Sequence, residues 1–397
     1  MTASCLSLFE PARPPCAGGH QQLSRHSALG ISLLGLLLLA GCASQPPGEA
    51  PATGDTAPQT STQTQESRRQ PAVGRYSATV VSGDFAGSPE LERFIDKMAS
   101  EQGFKRAYLM GLFSQAKRKD WTLNYLQRQD QQAKGPPAPG SWSRYQAKFL
   151  DELHISRGSD FWSRHARDLE RAQKRFGVPP EYILAILGVE TIYGVNVGNH
   201  RVIDALSTLA FDYPRRSQYF TQELENYLLM TRAEGVDPGL PVGSYAGAMG
   251  FGQFMPSSFL KWAVDFDGDG RRDLWNPVDA IGSVGNYFAQ HGWRPGQPVV
   301  VRAGGNGARN LALKTGYDTS YQLDQLADAG IRPSGAWTGG EPVRLLKLSA
   351  NTGDEYWLGG DNFYVITRYN HSTHYAMAVH QLAQAIRRRH GDRVAGL

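Results

Sequence analysis

Between Val178 and Gly194 the chain reads Val-Pro-Pro-Glu-Tyr-Ile-Leu-Ala-Ile-Leu-Gly-Val-Glu-Thr-Ile-Tyr-Gly, an apolar run with the carboxylate of Glu190 set inside its far end. Pro180 beside the acidic Glu181 marks a helix start, and Gly194 can mark its stop. Ile183, Ile186, Leu187 and Glu190 then fall at i, i+3, i+4 and i+7, on one face that must meet a core. A carboxylate ending an apolar stripe is pushed inward, where loss of water favours the neutral form and raises its pKa. That suits a general acid working near neutral pH. The helix alone equally admits a partly buried Glu190 that pairs with an arginine or caps a loop.

With 397 residues, 41% of them apolar and 10% aromatic, the chain has material for a folded body of two or three units. A formal charge of +4 gives weak attraction to acidic polymers and no case for nucleic acid. The cysteines, Cys5, Cys16 and Cys42, all lie near the start. The body therefore has no disulfide, no thiolate metal site and no cysteine nucleophile.

Ala28 to Gly41 is an apolar stretch preceded by Arg13 and Arg25. At about fourteen residues it is too short to span a bilayer but right for a signal-peptide core. It ends Leu39-Ala40-Gly41-Cys42, the pattern of a lipobox, in which the cysteine sulfur takes a diacylglycerol. An ordinary signal peptide that happens to meet a cysteine is the alternative. Ala43, not an acidic residue, follows Cys42, which points to the outer membrane. From Ala43 to about Val73 the chain is Gln, Thr, Ser, Pro and Gly, the composition of a disordered tether. Its mean reach is on the order of 30 Å.

The expected organisation is a lipoprotein signal peptide over 1–41, a tether over 42–73, an α domain over 74–180, a catalytic core over 181–295, a β-rich unit over 296–368 and a C-terminal helix over 369–397. Ser88-Pro89-Glu90 opens a helix running to about Gly103, with Leu91, Phe94, Ile95 and Met98 at helical spacing. Further helices are expected over Arg106–Lys117, Ser143–Leu153 and Ser159–Phe176, with Gly135-Pro136-Pro137 as a break. Strands are expected at Val299–Val301, Val343–Leu348 and Phe363–Ile366, a helix near Ser320–Asp328, and a closing helix over Ser372–Arg389. The fold class is α+β, mainly α with a small antiparallel sheet.

Two further motifs carry chemistry. Ser244-Tyr-Ala-Gly-Ala-Met-Gly-Phe-Gly-Gln-Phe-Met-Pro-Ser-Ser258 has glycines at 247, 250 and 252 that can bring backbone amides to a ligand, and Gln253 can both donate and accept. It also reads as a glycine-rich turn feeding a helix at Pro256, with Met249, Phe254 and Met255 as core. Asp265-Phe-Asp-Gly-Asp-Gly-Arg271 follows the start of an EF-hand: oxygens at positions 1, 3 and 5, glycine at 6 and the Arg271 carbonyl at 7. Asn276 stands where position 12 needs glutamate, so a strict EF-hand fails, and a plain Asp/Gly surface turn is the alternative. A bound ion would be structural calcium. No paired-histidine motif suggests a catalytic metal.

Gly188-Val-Glu-Thr-Ile-Tyr-Gly194, the Ser244–Ser258 string, the aspartate loop and Tyr369-Asn370 together resemble the membrane-bound lytic murein transglycosylase B family over roughly residues 75 to 390. The resemblance implies a lysozyme-like core with an extra α domain and a small β domain. It implies Glu190 as the acid/base, sugar contacts at Ser244, Tyr245, Gln253, Tyr287, Tyr369 and Asn370, and an enlarged calcium loop whose last carboxylate is Asp279. The implied substrate is the peptidoglycan glycan strand, cut to 1,6-anhydromuramoyl ends with no catalytic cofactor. A hydrolytic muramidase would need a second carboxylate, for which Asp204 and Asp212 are available. A non-catalytic peptidoglycan-binding lipoprotein is the remaining alternative. Tyr375 reads either as a sugar-stacking ring or as half-buried packing.

Overall fold

The structure, a computed structural model, describes residues 75–131, 138–305 and 313–395. Cys42, the leader and the tether lie outside the described residues.

Ser88 caps the first helix, α1 (Pro89–Gln102), by accepting from Leu91 N, and Gly103 ends it in the left-handed region. Its buried residues, Leu91, Phe94, Ile95 and Met98, are the expected stripe. After it come α2 (Arg106–Ser114), α3 (Asp120–Gln131), α4 (Ser141–Gln146), α5 (Glu152–Arg164) and α6 (Ala166–Phe176). The expected helix over Ser143–Leu153 stops early because Asp151 caps α5 instead, accepting from His154 N. The sequence pattern missed α3, whose buried residues are only Thr122, Leu123 and Leu126.

The apolar run that carries Glu190 forms α7 (Pro180–Thr191). Every residue from Pro180 to Val189 is buried, so the expectation of one apolar face was too narrow. A helix apolar on all sides belongs at the centre of a core. The closing helix α14 (Thr373–Ala395), α5, α6 and α11 (Pro277–Gln290) pack around it. Beside them α8 (Val202–Asp212) packs on α9 (Ser217–Ala233), which meets α10 (Pro256–Trp262). A two-stranded ribbon, β1 (His200–Arg201) with β2 (Val242–Gly243), ties the segment after α7 to the Ser244 loop, pairing His200 with Gly243.

The antiparallel sheet has order β4-β3-β6-β5, from β3 (Val300–Gly304), β4 (Arg332–Pro333), β5 (Arg344–Ala350) and β6 (Gly353–Gly359). The helix α12 (Leu323–Asp328) falls where expected. Leu345 faces a small cluster with Leu326, Ile331, Val343 and Leu358, whereas Leu346 and Leu348 join the main core. Both faces of β5 are thus covered except at the exposed Lys347, which interrupts its leucines.

Phe363–Ile366 corrects the reading most. It lies in a helix, α13 (Asp361–Tyr369), not a strand. Asn362 at its start is fully buried, accepting from Arg294 N and donating to the Arg294 and Gln297 carbonyls. Burial of Asn362, Phe363, Ile366 and Tyr369 follows helical spacing, and this packing overrides the β preference of the residues. The strand that replaces it, β6, starts Gly-Asp-Glu and carries little strand signal.

Candidate active-site cleft

Glu190 is the penultimate residue of α7, and the chain turns sharply after it. Ile192 (φ 52°), Tyr193 (φ 58°) and Gly194 (φ 87°) are consecutive left-handed residues. Two of them carry side chains, and such residues cost about 1–3 kcal/mol each unless the surroundings hold them. They are held. Tyr193 OH donates to His154 O at 3.0 Å, and Thr191 Oγ1 donates to Phe251 O at 2.9 Å while accepting from Gly194 N. The glycines of the motif make this possible: a Cβ on Gly188 would lie 2.6 Å from Tyr193 Oη, and one on Gly194 would lie 2.2 Å from the Phe251 ring.

The Glu190 carboxylate keeps a partial opening to solvent, yet protein surrounds it densely enough to strip most of its water. Burial pushes its pKa up to about 7. A hydrogen bond from Tyr375 OH to Glu190 Oε1, 2.6 Å long, opposes the shift, and no charged side chain contributes. Tyr375 is fully buried on α14. Sequence admits a stacking ring or packing; the role as partner of Glu190 escapes it because the two residues are 185 positions apart.

Among the residues marked by resemblance, Ser244 folds its own loop. Its Oγ accepts from Ala246 N and Ala248 N, and its N donates to Ala248 O. Gln253, at φ 51°, donates through Nε2 to Val197 O and Gly250 O, tying the loop to the segment after Glu190. Tyr369 OH donates to Gly252 O and Tyr287 OH to Arg368 O, both at 2.6 Å, and the two rings lie 4.8 Å apart. Tyr369 also lies within electrostatic reach of Glu190. Asn370 is buried at the end of α13. Tyr245 stands apart from this group, edge-on to Tyr125 and Trp121 of α3.

The loop glycines also have a packing use. A Cβ on Gly247 would meet Leu206, one on Gly250 would meet Leu274, and one on Gly252 would meet Tyr369 Oη. Close packing therefore demands them, and Met249 and Met255 are buried core as the alternative reading had it.

The carboxylates of Asp265, Asp267 and Asp279 place oxygens within 4.8 Å of one another. Asp279 is 1% exposed, in the first turn of α11, and accepts from Phe266 N, Asp267 N and Asp273 N. Burial raises its pKa, and those bonds oppose the rise. Asp265 accepts from Gly268 N and Gly270 N. Asp269 stands outside the trio and accepts from Arg271 N, the residue whose carbonyl is the expected fourth oxygen. Asn276 caps α11 by accepting from Val278 N, which explains why position 12 is not a ligating glutamate. Three clustered carboxylate oxygens supply hard donors of the kind calcium takes, part of the roughly six to eight oxygens it binds.

A buried, helix-borne carboxylate inside a lysozyme-like α+β body defines a class of glycan-cleaving proteins, and the comparisons give the family. Residues 86–384 match the family described as Transglycosylase SLT domain. The chain is 47% identical over 360 residues to membrane-bound lytic murein transglycosylase B of Escherichia coli strain K12, covering 90% of this chain and 97% of that one. It is similar to the structure of the Escherichia coli lytic transglycosylase Slt35 in complex with calcium (TM-score 0.73, 49% identity, 78% of this chain and 96% of that one). It is also similar to Pseudomonas aeruginosa SltB3 in complex with NAG-anhNAM-pentapeptide (TM-score 0.62, 30% identity, 75% of this chain and 79% of that one). The chain belongs to this family of lytic murein transglycosylases.

Proposed function

We propose that this chain cleaves the β-1,4 bond between N-acetylmuramic acid and N-acetylglucosamine in peptidoglycan without consuming water, with Glu190 as its single acid and base. The observation that carries the reading is a helix-end carboxylate that burial pushes up to about 7 against the opposing hydrogen bond from Tyr375. A group so poised holds and releases a proton with nearly equal ease at neutral pH. Glu190 gives its proton to the glycosidic oxygen as the C1–O bond breaks, and the 2-acetamido group or an oxocarbenium ion carries the charge. The carboxylate then takes the proton of the muramoyl C6 hydroxyl, whose oxygen bonds to C1 and closes the 1,6-anhydro ring.

A hydrolase would divide this work between two carboxylates. Asp204 is bound to Arg201, Lys119 and the Lys117 amide, and Asp212 faces Arg118. Neither perturbs Glu190. Digestion of sacculi by wild type and Glu190→Gln, read by mass spectrometry, tests the reaction. Products with 1,6-anhydro ends from the wild type alone are expected; ends reducible by borohydride would establish hydrolysis instead.

Sugar contacts are assigned to Ser244, Tyr245, Gln253, Tyr287, Tyr369 and Asn370, with Tyr287 and Tyr369 acting through their rings because their hydroxyls hold backbone carbonyls. Asp265, Asp267, Asp269, the Arg271 carbonyl and Asp279 would hold calcium, which supplies structural charge neutralisation. The division at 74–180, 181–295, 296–368 and 369–397 serves as the working domain scheme. Attachment is through lipid on Cys42, on the periplasmic face of the outer membrane. Among the described residues no helix is long and apolar enough to cross a membrane. Cys42→Ala is expected to appear in the soluble fraction; a variant still pelleting with outer membranes would show that something other than acyl chains holds it.

A further inference from the structure

α3 places its buried Thr122, Leu123 and Leu126 against the body, and Trp121 and Tyr125, four residues apart, share another edge. Trp121 is 55% exposed, alone among the described aromatic residues in being so open. Its ring is not loose. It stacks on Tyr125 at 5.1 Å and 9° and on His200 at 6.1 Å and 25°, while Tyr245 stands edge-on at 5.9 Å from Trp121 and 5.2 Å from Tyr125.

Three distant segments build this surface: α3, the ribbon strand β1, and the loop that continues into Gln253. The rings of Trp121, Tyr125 and His200 lie near-parallel, and Tyr245 stands edge-on beside them. The surface is continuous with the proposed cleft. His200 pairs with Gly243 immediately before the Ser244 loop, and Val197, three residues earlier, holds Gln253. An indole of this size is ordinarily turned inward, because covering its apolar surface is favourable. Here three neighbouring rings brace it and more than half of it still stands open to a flat apolar face.

We propose that Trp121, Tyr125 and Tyr245 form an outlying saccharide subsite, on which one N-acetylhexosamine ring of the glycan strand lies by its C–H face, beyond the sugars that flank Glu190. The inference rests on the peptidoglycan reading and deepens it: the platform favours long strands over short fragments.

Titration calorimetry on the Glu190→Gln protein, with the dimer and the hexamer of N-acetylglucosamine as probes, tests it. With Trp121→Ala added, hexamer affinity is expected to fall about five- to tenfold and dimer affinity less than twofold, and Trp121→Phe should restore most of the loss. Unchanged hexamer affinity in a folded Trp121→Ala protein, or equal loss for both probes, would overturn the subsite. If the hexamer fails to bind although the wild type still cuts sacculi, the platform falls and the transglycosylase reading stands. If sacculi also remain intact, both fall.

Discussion

Glu190 and Asp279 are both carboxylates that burial drives toward the neutral form, but the protein treats them differently. Asp279 receives three backbone N–H groups, a set that supports a fixed negative charge. Glu190 receives one hydroxyl, from Tyr375, and no charge-bearing neighbour. Backbone donors cannot follow a proton that leaves and returns, and a carboxylate they saturate is committed to structure or to a cation. A carboxylate with a single side-chain donor stays free to exchange its proton. Burial alone therefore does not mark an acid; the number and kind of donors does.

The largest effect expected from this contrast is on turnover. Glu190→Gln should lose about 10²-fold or more in sacculus solubilisation while folding normally. Asp279→Asn should instead impair stability first, which thermal melting and turnover measured side by side would separate.

Calcium gives the next effect. A cation bound only to the folded state stabilises it by about 2.7 kcal/mol at a hundredfold excess over its dissociation constant. Melting should rise when calcium is returned after chelation. Because Asp269 lies outside the close trio, Asp269→Ala should keep more of that rise than Asp265→Ala or Asp267→Ala. A melting temperature indifferent to calcium and chelator would leave the loop a polar turn.

Stability against pH gives a third. Glu190 ionises at about 7 when folded and near 4.5 when unfolded, so the folded state holds the extra proton between these values. Its favourable contribution is full below the unfolded value and is lost as pH rises through 7. Glu190→Gln should therefore gain on wild type toward alkaline pH, by roughly 3 kcal/mol at most. Denaturant midpoints that stay parallel across pH 4 to 8 would contradict it.

Much of this was legible in the chain itself. The stripe of α1, the start of α7 behind Pro180 and the residues around Glu190 could be read because local spacing decides them. Three features could not. The helix α13 takes its conformation from Asn362 bonding to Arg294 and Gln297, contacts that no local pattern encodes. The glycines at 247, 250 and 252 read as letting backbone amides approach a ligand, and only the fold shows that Leu206, Leu274 and Tyr369 also demand them. Tyr375 reaches Glu190 from the far end of the chain, so the group that tunes the acid was invisible next to it.

Tyr375→Phe is the smallest perturbation and a fine probe of that tuning. Losing the bond removes support for the charged form, so the pKa of Glu190 should rise, by roughly one pH unit. The alkaline limb of the activity profile should move upward with it, and an unmoved limb would show that the hydroxyl only packs.

The most direct measurement is infrared titration of the carboxyl C=O stretch in wild type and Glu190→Gln. A protonated carboxyl that persists to about pH 7 in the wild type and is missing from the variant is the expected result. Spectra that match above pH 5, with every carboxyl already ionised in both proteins, would contradict the claim that burial holds a proton on Glu190 at neutral pH.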